Sequence, residues 1–258
     1  MGGPRTHTVT CMSDEPSTIP PGRIDIHSHM LPDIDDGCRG IEECVESITA
    51  LQHEGFVGSI CTPHISKLYP ANTVEQIRHW TRDLADRLVE RRIDYQLWSG
   101  AEVRLFPQVV DWMKNAGVPT LADSKCVLVD MWVDRWPRWV NRAMDWLLEE
   151  GYQPILAHPE RINIKRKLKQ RLIELVDQGV WLQGNFRCMT GEDGPLADTM
   201  VRQLLAEDRY TFMSLDMHRP GDLTIRIDGM DMTASENGQR VLDRLTIENP
   251  RKLIFQEF

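Results

Sequence analysis

Runs rich in β-forming residues alternate with runs of helical periodicity along most of the chain, and the β-runs end in histidines or carboxylates. Such alternation dictates parallel strands, because each helix carries the chain back to the start of the next strand. Arg23–His27, Val57–Cys61, Tyr95–Trp98, Cys126–Met131, Gln153–Ala157, Val180–Gln183 and Tyr210–Leu215 read as strands. Helices are expected over Ile41–His53, Val74–Arg91, Ile164–Gln178 and Leu196–Asp208, and near Pro137–Glu150 and Ala234–Arg244. In the first of these, Cys44, Val45, Ile48 and Leu51 recur at helical spacing and Gly55 closes the run. Parallel strands of this kind close into a barrel or form a doubly wound sheet. No G-x-G-x-x-G or phosphate-loop pattern follows any strand, which favours the barrel.

In a barrel the C-terminal ends of the strands converge on one face, where active sites lie. Five of the eight histidines fall at such ends. His27 and His29 close the first strand, His64 follows the second, His158 the fifth and His218 the seventh. Glu102 follows the third strand, Asp130 ends the fourth and Asp216 follows the seventh. Each signal has a plain structural alternative: two polar residues on one strand face for His27-x-His29, a loop cap for His64, a local pair for Asp216-x-His218. Their joint occurrence at one end of successive strands points instead to metal. Imidazole mixed with carboxylate suits manganese, iron or zinc better than calcium or magnesium, which favour oxygen ligands alone. His7 precedes the first strand, and His53 and His79 lie on expected helices.

The 258 residues suffice for one large domain, and the net charge of −9 argues against nucleic acid or an anionic membrane as the main partner. Six cysteines without a CxxC pair fit reduced thiols in the cytoplasm, and no apolar run reaches membrane-span length. None of them has an arginine six residues later, which excludes a cysteine-phosphatase loop. Residues 1–22, with Pro16, Pro20 and Pro21 among Ser and Thr, read as a flexible tail before a single domain at 23–258.

Several segments occur together and in order: DIHSHMLPDIDDG (Asp25–Gly37), CTPH (Cys61–His64), GAEVRLF (Gly100–Phe106), VLVDMW (Val127–Trp132), AHPER (Ala157–Arg161), LDMH (Leu215–His218) and ENPRKLI (Glu248–Ile254). They resemble the polymerase-and-histidinol-phosphatase (PHP) family, and within it the bacterial capsule-type protein-tyrosine phosphatases. The resemblance implies a distorted (β/α)7 TIM-like barrel with three divalent metal ions, manganese first and iron or zinc as alternatives. His27, His29 and Asp216 would hold one ion with a bridging Glu102. Glu102, Asp130 and His158 would hold a second, and Asp36, His64 and His218 a third. Arg161 would bind the phosphate. The implied substrate is a phosphotyrosine protein, a bacterial tyrosine kinase of capsule or exopolysaccharide synthesis.

Asp130 stands where the family usually has Glu, and Ser-Asp-Ala-His is here Leu215–His218. An arginine expected about five residues past the last histidine is missing; Arg219, directly after His218, is the candidate replacement. Two other readings stay open: a small-molecule phosphatase of histidinol-phosphate type, and a catalytically weakened regulatory barrel. Trp132, Trp136 and Trp139 are candidates either for the pocket mouth or for core packing.

Overall fold

The computed structural model describes residues 19–164 and 167–258. Most of the expected tail, residues 1–18, therefore lies outside the described residues, as do positions 165–166 within the expected basic helix. Nine strands appear among the described residues: β1 (Arg23–Ser28), β2 (Phe56–Cys61), β3 (His64–Ile65), β4 (Gln96–Ser99), β5 (Glu102–Arg104), β6 (Cys126–Asp130), β7 (Gln153–Ala157), β8 (Trp181–Asn185) and β9 (Phe212–Ser214). All pair in parallel. Most are nearly continuous buried runs, as parallel strands covered on both faces must be, while β4 is half-buried throughout.

The helices are α1 (Gly40–His53), α2 (Val74–Glu90), α3 (Val109–Ala116), α4 (Arg138–Glu149), α5 (Leu168–Asp177), α6 (Pro195–Ala206), α7 (Leu223–Asn237), α8 (Gln239–Asp243) and α9 (Asn249–Phe255). Apolar spacing and caps account for the long ones. Helix α2 buries Ile77, Thr81, Leu84 and Leu88 along one stripe, and its cap Thr73 accepts a hydrogen bond from the Gln76 amide. Helix α4 follows Pro137 and buries Val140, Ala143, Met144 and Leu147. The short α3 has no counterpart among the expected helices, and the single expected terminal helix is a series of three.

A closed barrel was the expectation; the described strands instead make two sheets, ordered β1-β2-β4 and β3-β5-β6-β7-β8-β9. The interruption has a local cause. Strands β2 and β4 stop at Cys61 and Ser99, and the chain restarts as β3 and β5 beyond Thr62-Pro63 and Gly100-Ala101. Pro63 has no amide hydrogen to give a ladder. At Gly100 a side chain would press on Leu121 and Ile60. At the other seam, β9 meets β1 through one isolated bridge, Ser28 with Met217. There Asp25 uses its side chain, accepting the Leu215 amide at 3.1 Å. The two sheets nevertheless share an inner core of Ile26, Ile60, Leu128, Ile155 and Phe212, closed from below by Leu253 of α9. Arg251 on the same helix donates to the carbonyls of Ile19 and Pro20.

Helix α7 rests on the turn Phe186–Thr190 that follows β8, and Gly229 makes the approach possible: a Cβ there would overlap the Phe186 carbonyl oxygen. Alanine is the better helix former, yet Gly229→Ala is expected to lose about 2 kcal/mol or more through overpacking. Gly221→Ala, with open space around it, should stay within about 0.5 kcal/mol. Urea unfolding midpoints at unchanged m-value read both.

Candidate metal centre

Side chains two residues apart on a strand share a face. His27 and His29 at the end of β1 therefore point the same way, both fully buried. Their Nε2 atoms are 3.2 Å apart. Asp216 Oδ1 lies 3.4 Å from the first and 3.3 Å from the second, and Glu102 Oε2 lies 3.5 Å from each.

The far nitrogens of three rings are committed elsewhere. His27 Nδ1 donates to Gln183 Oε1 at 2.8 Å, while the Gln183 amide nitrogen donates to the Gly184 carbonyl. His29 Nδ1 donates to Asp35 Oδ2 at 2.7 Å, and His218 Nδ1 to the Asp216 carbonyl at 2.8 Å. With Nδ1 carrying the hydrogen, each Nε2 is left as a lone pair, the tautomer that metal-binding histidines adopt. Two lone pairs at 3.2 Å repel, so positive charge must sit between them: a proton on one ring or a cation shared by both.

Beside this pair, His158 Nε2 lies 2.9 Å from Glu102 Oε1, giving the group His27, Glu102 and His158. A further group joins His29, Asp36, His64 and His218. Asp36 Oδ1 stands 3.5 Å from His64 Nε2 and 3.6 Å from His218 Nε2. His64 Nδ1 approaches Glu102 Oε2 at 2.8 Å, and His218 stacks on His29 with centroids 4.2 Å apart. His158 and Asp216 both hold left-handed backbone, φ 30° and 53°, which turns their side chains inward at some conformational cost.

The electrostatics show the same demand for positive charge. Burial would raise the carboxyls of Glu102 and Asp216, but the surrounding imidazoles, His27 first, hold both well below the ordinary range. Burial opposes charge on His29, yet Asp35, Asp216 and Glu102 keep its pKa well above the usual imidazole value. His158 is lifted to about 9 against its burial by Glu102 and Asp130. His218 is driven down to about 4 by burial and by the charge on His29.

Eight of the nine sequence-derived ligand candidates thus fall in these groups. Asp130 is the ninth. Its Oδ1 reaches only to 3.8 Å from His158 Nδ1, the side facing away from Glu102. Burial and the Glu102 charge push its pKa up, and its Oδ2 is buried without a hydrogen-bond partner among the described residues. An aspartate arm is one methylene shorter than the glutamate the resemblance implies at this position.

Arg161, in the turn after β7, donates to Asp216 Oδ2 at 3.1 Å, where Asn185 also donates at 2.9 Å. Arg219 is half-buried, and its guanidinium meets the carbonyls of Gly37 and Asp36 at 3.4 Å. Sequence reasoning missed Asp35, Gln183 and Asn185. The two amides sit at the end of β8, the sixth expected strand, so strand-end position was the available signal. Asp35 binds the His29 ring and also accepts the amides of Gly37 and His64 at 3.0 Å.

The family model for capsular polysaccharide synthesis proteins CpsB/CapC matches residues 23–255. The chain belongs to the CpsB/CapC family. The putative tyrosine-protein phosphatase CapC of Staphylococcus aureus is 27% identical over 196 residues, 76% of each chain. The tyrosine-protein phosphatase CpsB of Streptococcus pneumoniae is 27% identical over 250 residues, covering 91% of this chain and 99% of that one. A crystal structure from work on YwqE of Bacillus subtilis and CpsB of Streptococcus pneumoniae, described as metal-dependent tyrosine phosphatases, matches with a TM-score of 0.81 at 26% identity. It covers 90% of this chain and 94% of that one. The capsule-type resemblance of the sequence is met by the family model, the curated relatives and the solved structure alike.

Two substitutions probe the surroundings of the cluster. Asp35→Asn weakens the hold on the His29 ring and is expected to reduce metal affinity by about ten- to a hundredfold, read by competition with a graded chelator. Asp130→Glu lengthens the arm towards the cluster and should hold metal at least as well as the parent. Asp130→Asn should lose metal selectively with the melting temperature maintained, as measured by elemental analysis and calorimetry.

Proposed function

We propose that the chain is a metal-dependent protein-tyrosine phosphatase. The observation that carries this is the pair of Nε2 lone pairs held 3.2 Å apart beside two buried carboxylates, a donor set that fits divalent cations. His27, His29 and Asp216 would hold one ion with Glu102 shared, Glu102 and His158 a second with Asp130 on its outer side, and Asp36, His64 and His218 a third. Manganese is the first candidate for this mixed imidazole and carboxylate set, with iron or zinc as alternatives. Clustered divalent cations supply Lewis acidity, which lowers the pKa of water towards neutrality and offsets charge on phosphoryl and leaving oxygens.

The chain's own residues do the rest. Arg161, at the rim, presents a planar fork that suits two oxygens of a phosphoryl group. Asp216 holds that fork in place from below. Asp35, Gln183 and the Asp216 carbonyl fix the ring orientations before substrate arrives. Asp36 and Trp132 are 54% and 61% exposed, so the rim is open. That openness favours a phosphotyrosine displayed on a protein over a small enclosed metabolite such as histidinol phosphate. Retention of eight of the nine expected donors in grouped positions speaks against a non-catalytic barrel.

The CpsB/CapC membership leads us to propose a capsule or exopolysaccharide tyrosine kinase as the partner, and the cytoplasm as the compartment. Among the described residues no helix is long and apolar enough to cross a membrane. We also read the two sheets as a seven-stranded barrel of the PHP type, β2 running on into β3 and β4 into β5. The shared inner core and the Ser28–Met217 bridge support that reading.

Aryl-phosphate hydrolysis is expected to vanish with chelator and return with Mn²⁺. Alkylation should leave it within about twofold, because reactivity needs an accessible thiolate. The five cysteines of the described residues are buried, and burial pushes Cys61 and Cys126 up to about 12 and about 11. Arg161→Ala should lower kcat/KM by about a hundredfold or more at unchanged metal content.

A further inference from the structure

Arg219 is engaged by the carbonyls of Gly37 and Asp36, and Arg161 is the arginine assigned to the phosphate. A second guanidinium stands close by. Arg104 ends β5 two residues beyond Glu102, on the same strand face, and pairs in register with Asp130 of β6. It makes no ion pair or side-chain hydrogen bond among the described residues. It also walls a groove of about 250 Å³ with Lys67, Leu68 and Phe106, so solutes can reach it.

Trp132 links the two arginines. The sheet order β5-β6-β7 places the chain just past β6, where Trp132 stands two residues beyond the strand, between the C-terminal ends of β5 and β7. The indole is 61% exposed, and the guanidinium carbons of Arg104 and Arg161 each lie 5.6 Å from its ring centre. The two cations are therefore no more than about twice that distance apart, each attracted to the same π system. Two like charges gathered on one exposed ring repel, and an anion between them relieves the repulsion.

We infer that Arg104 is a second phosphate-binding residue, and that Trp132 is the positioning residue holding Arg104 and Arg161 as a two-armed grip on the phosphoryl group of an aryl phosphate. The identity of the ligand rests on the phosphatase reading above; the grip itself does not. Trp132 therefore serves the mouth and not the core, unlike Trp136 and Trp139, which are partly buried against core residues.

Calorimetric titration of the metal-loaded full-length protein with inorganic phosphate tests this without turnover. Arg104→Gln is expected to weaken phosphate binding about tenfold or more, with Arg104→Lys recovering part of the loss and metal content unchanged in both. Trp132→Ala should weaken it as well, and the double variant should fall no further than the weaker single one, because both remove one device. With p-nitrophenyl phosphate the loss should appear in KM more than in kcat. Phosphate affinity unchanged in Arg104→Gln, or lost together with metal, overturns the inference. Independent, multiplying effects of the two changes overturn the role given to Trp132. If the parent protein binds phosphate through Arg104 yet hydrolyses no aryl phosphate, the phosphatase reading falls and the grip stands. If it hydrolyses normally with Arg104 replaced, the grip alone falls.

Discussion

Everything at the mouth of this molecule follows from placing carboxylates among imidazoles out of contact with water. Glu102 and Asp216 are buried at the centre, and ions so placed need compensation from opposite charge at short range. The rings of His27, His29, His64 and His158 provide the surroundings, while Asp35 and Gln183 decide which nitrogen of two of those rings faces inward. A neutral interior would have needed none of these residues. Such a cluster needs positive charge in its middle, and the supporting hydrogen bonds of Asp35 and Gln183 aim the ring nitrogens towards it.

The fold supplies this arrangement through strand ends. Most of the parallel strands deliver one or two side chains to the same face, at or just past their ends, and the loops beyond hold the rest. The left-handed backbone of His158 and Asp216 shows that delivery is not wholly free: the chain bends sharply right where it leaves β7 and β9. Asp25 reinforces the seam below, spending a buried carboxylate oxygen on the Leu215 amide, with its pKa raised to about 7 chiefly by burial. The seam and the cluster are thus parts of one connected polar layer.

Much of this was legible in the sequence. His27-x-His29 could be read because alternation along a strand puts both rings on one face, and strand-end charges are rare enough elsewhere to stand out. The neutral amides Gln183 and Asn185 carried no such signature, though they occupy equivalent positions. Asp35 and Asp36 are adjacent and identical, and only the loop's path sends the first to the His29 ring and the second to His64 and His218. The break at Pro63 and Gly100 was hidden for another reason. Beyond the ends of two expected strands the chain resumes as the short β3 and β5, two and three residues long, so the reading of seven strands missed the division into two sheets. Arg104 was overlooked because its meaning depends on Trp132, a neighbour across the sheet and distant along the chain.

Leu253, at the base of the inner core, bears on how such a chain acquires its structure. It packs with Ile26, Ile60 and Phe212, so the innermost packing joins the first strand to the last helix. Arg251 ties the same helix to the carbonyls just ahead of β1. Contacts between segments so far apart in sequence are the slowest to form, because the largest loop must close before they are rewarded. During synthesis the contacts of Leu253 and Arg251 with the start of the chain cannot form until α9 has left the ribosome. Helix α9 therefore completes the inner core last, joining the beginning of the described chain to its far end.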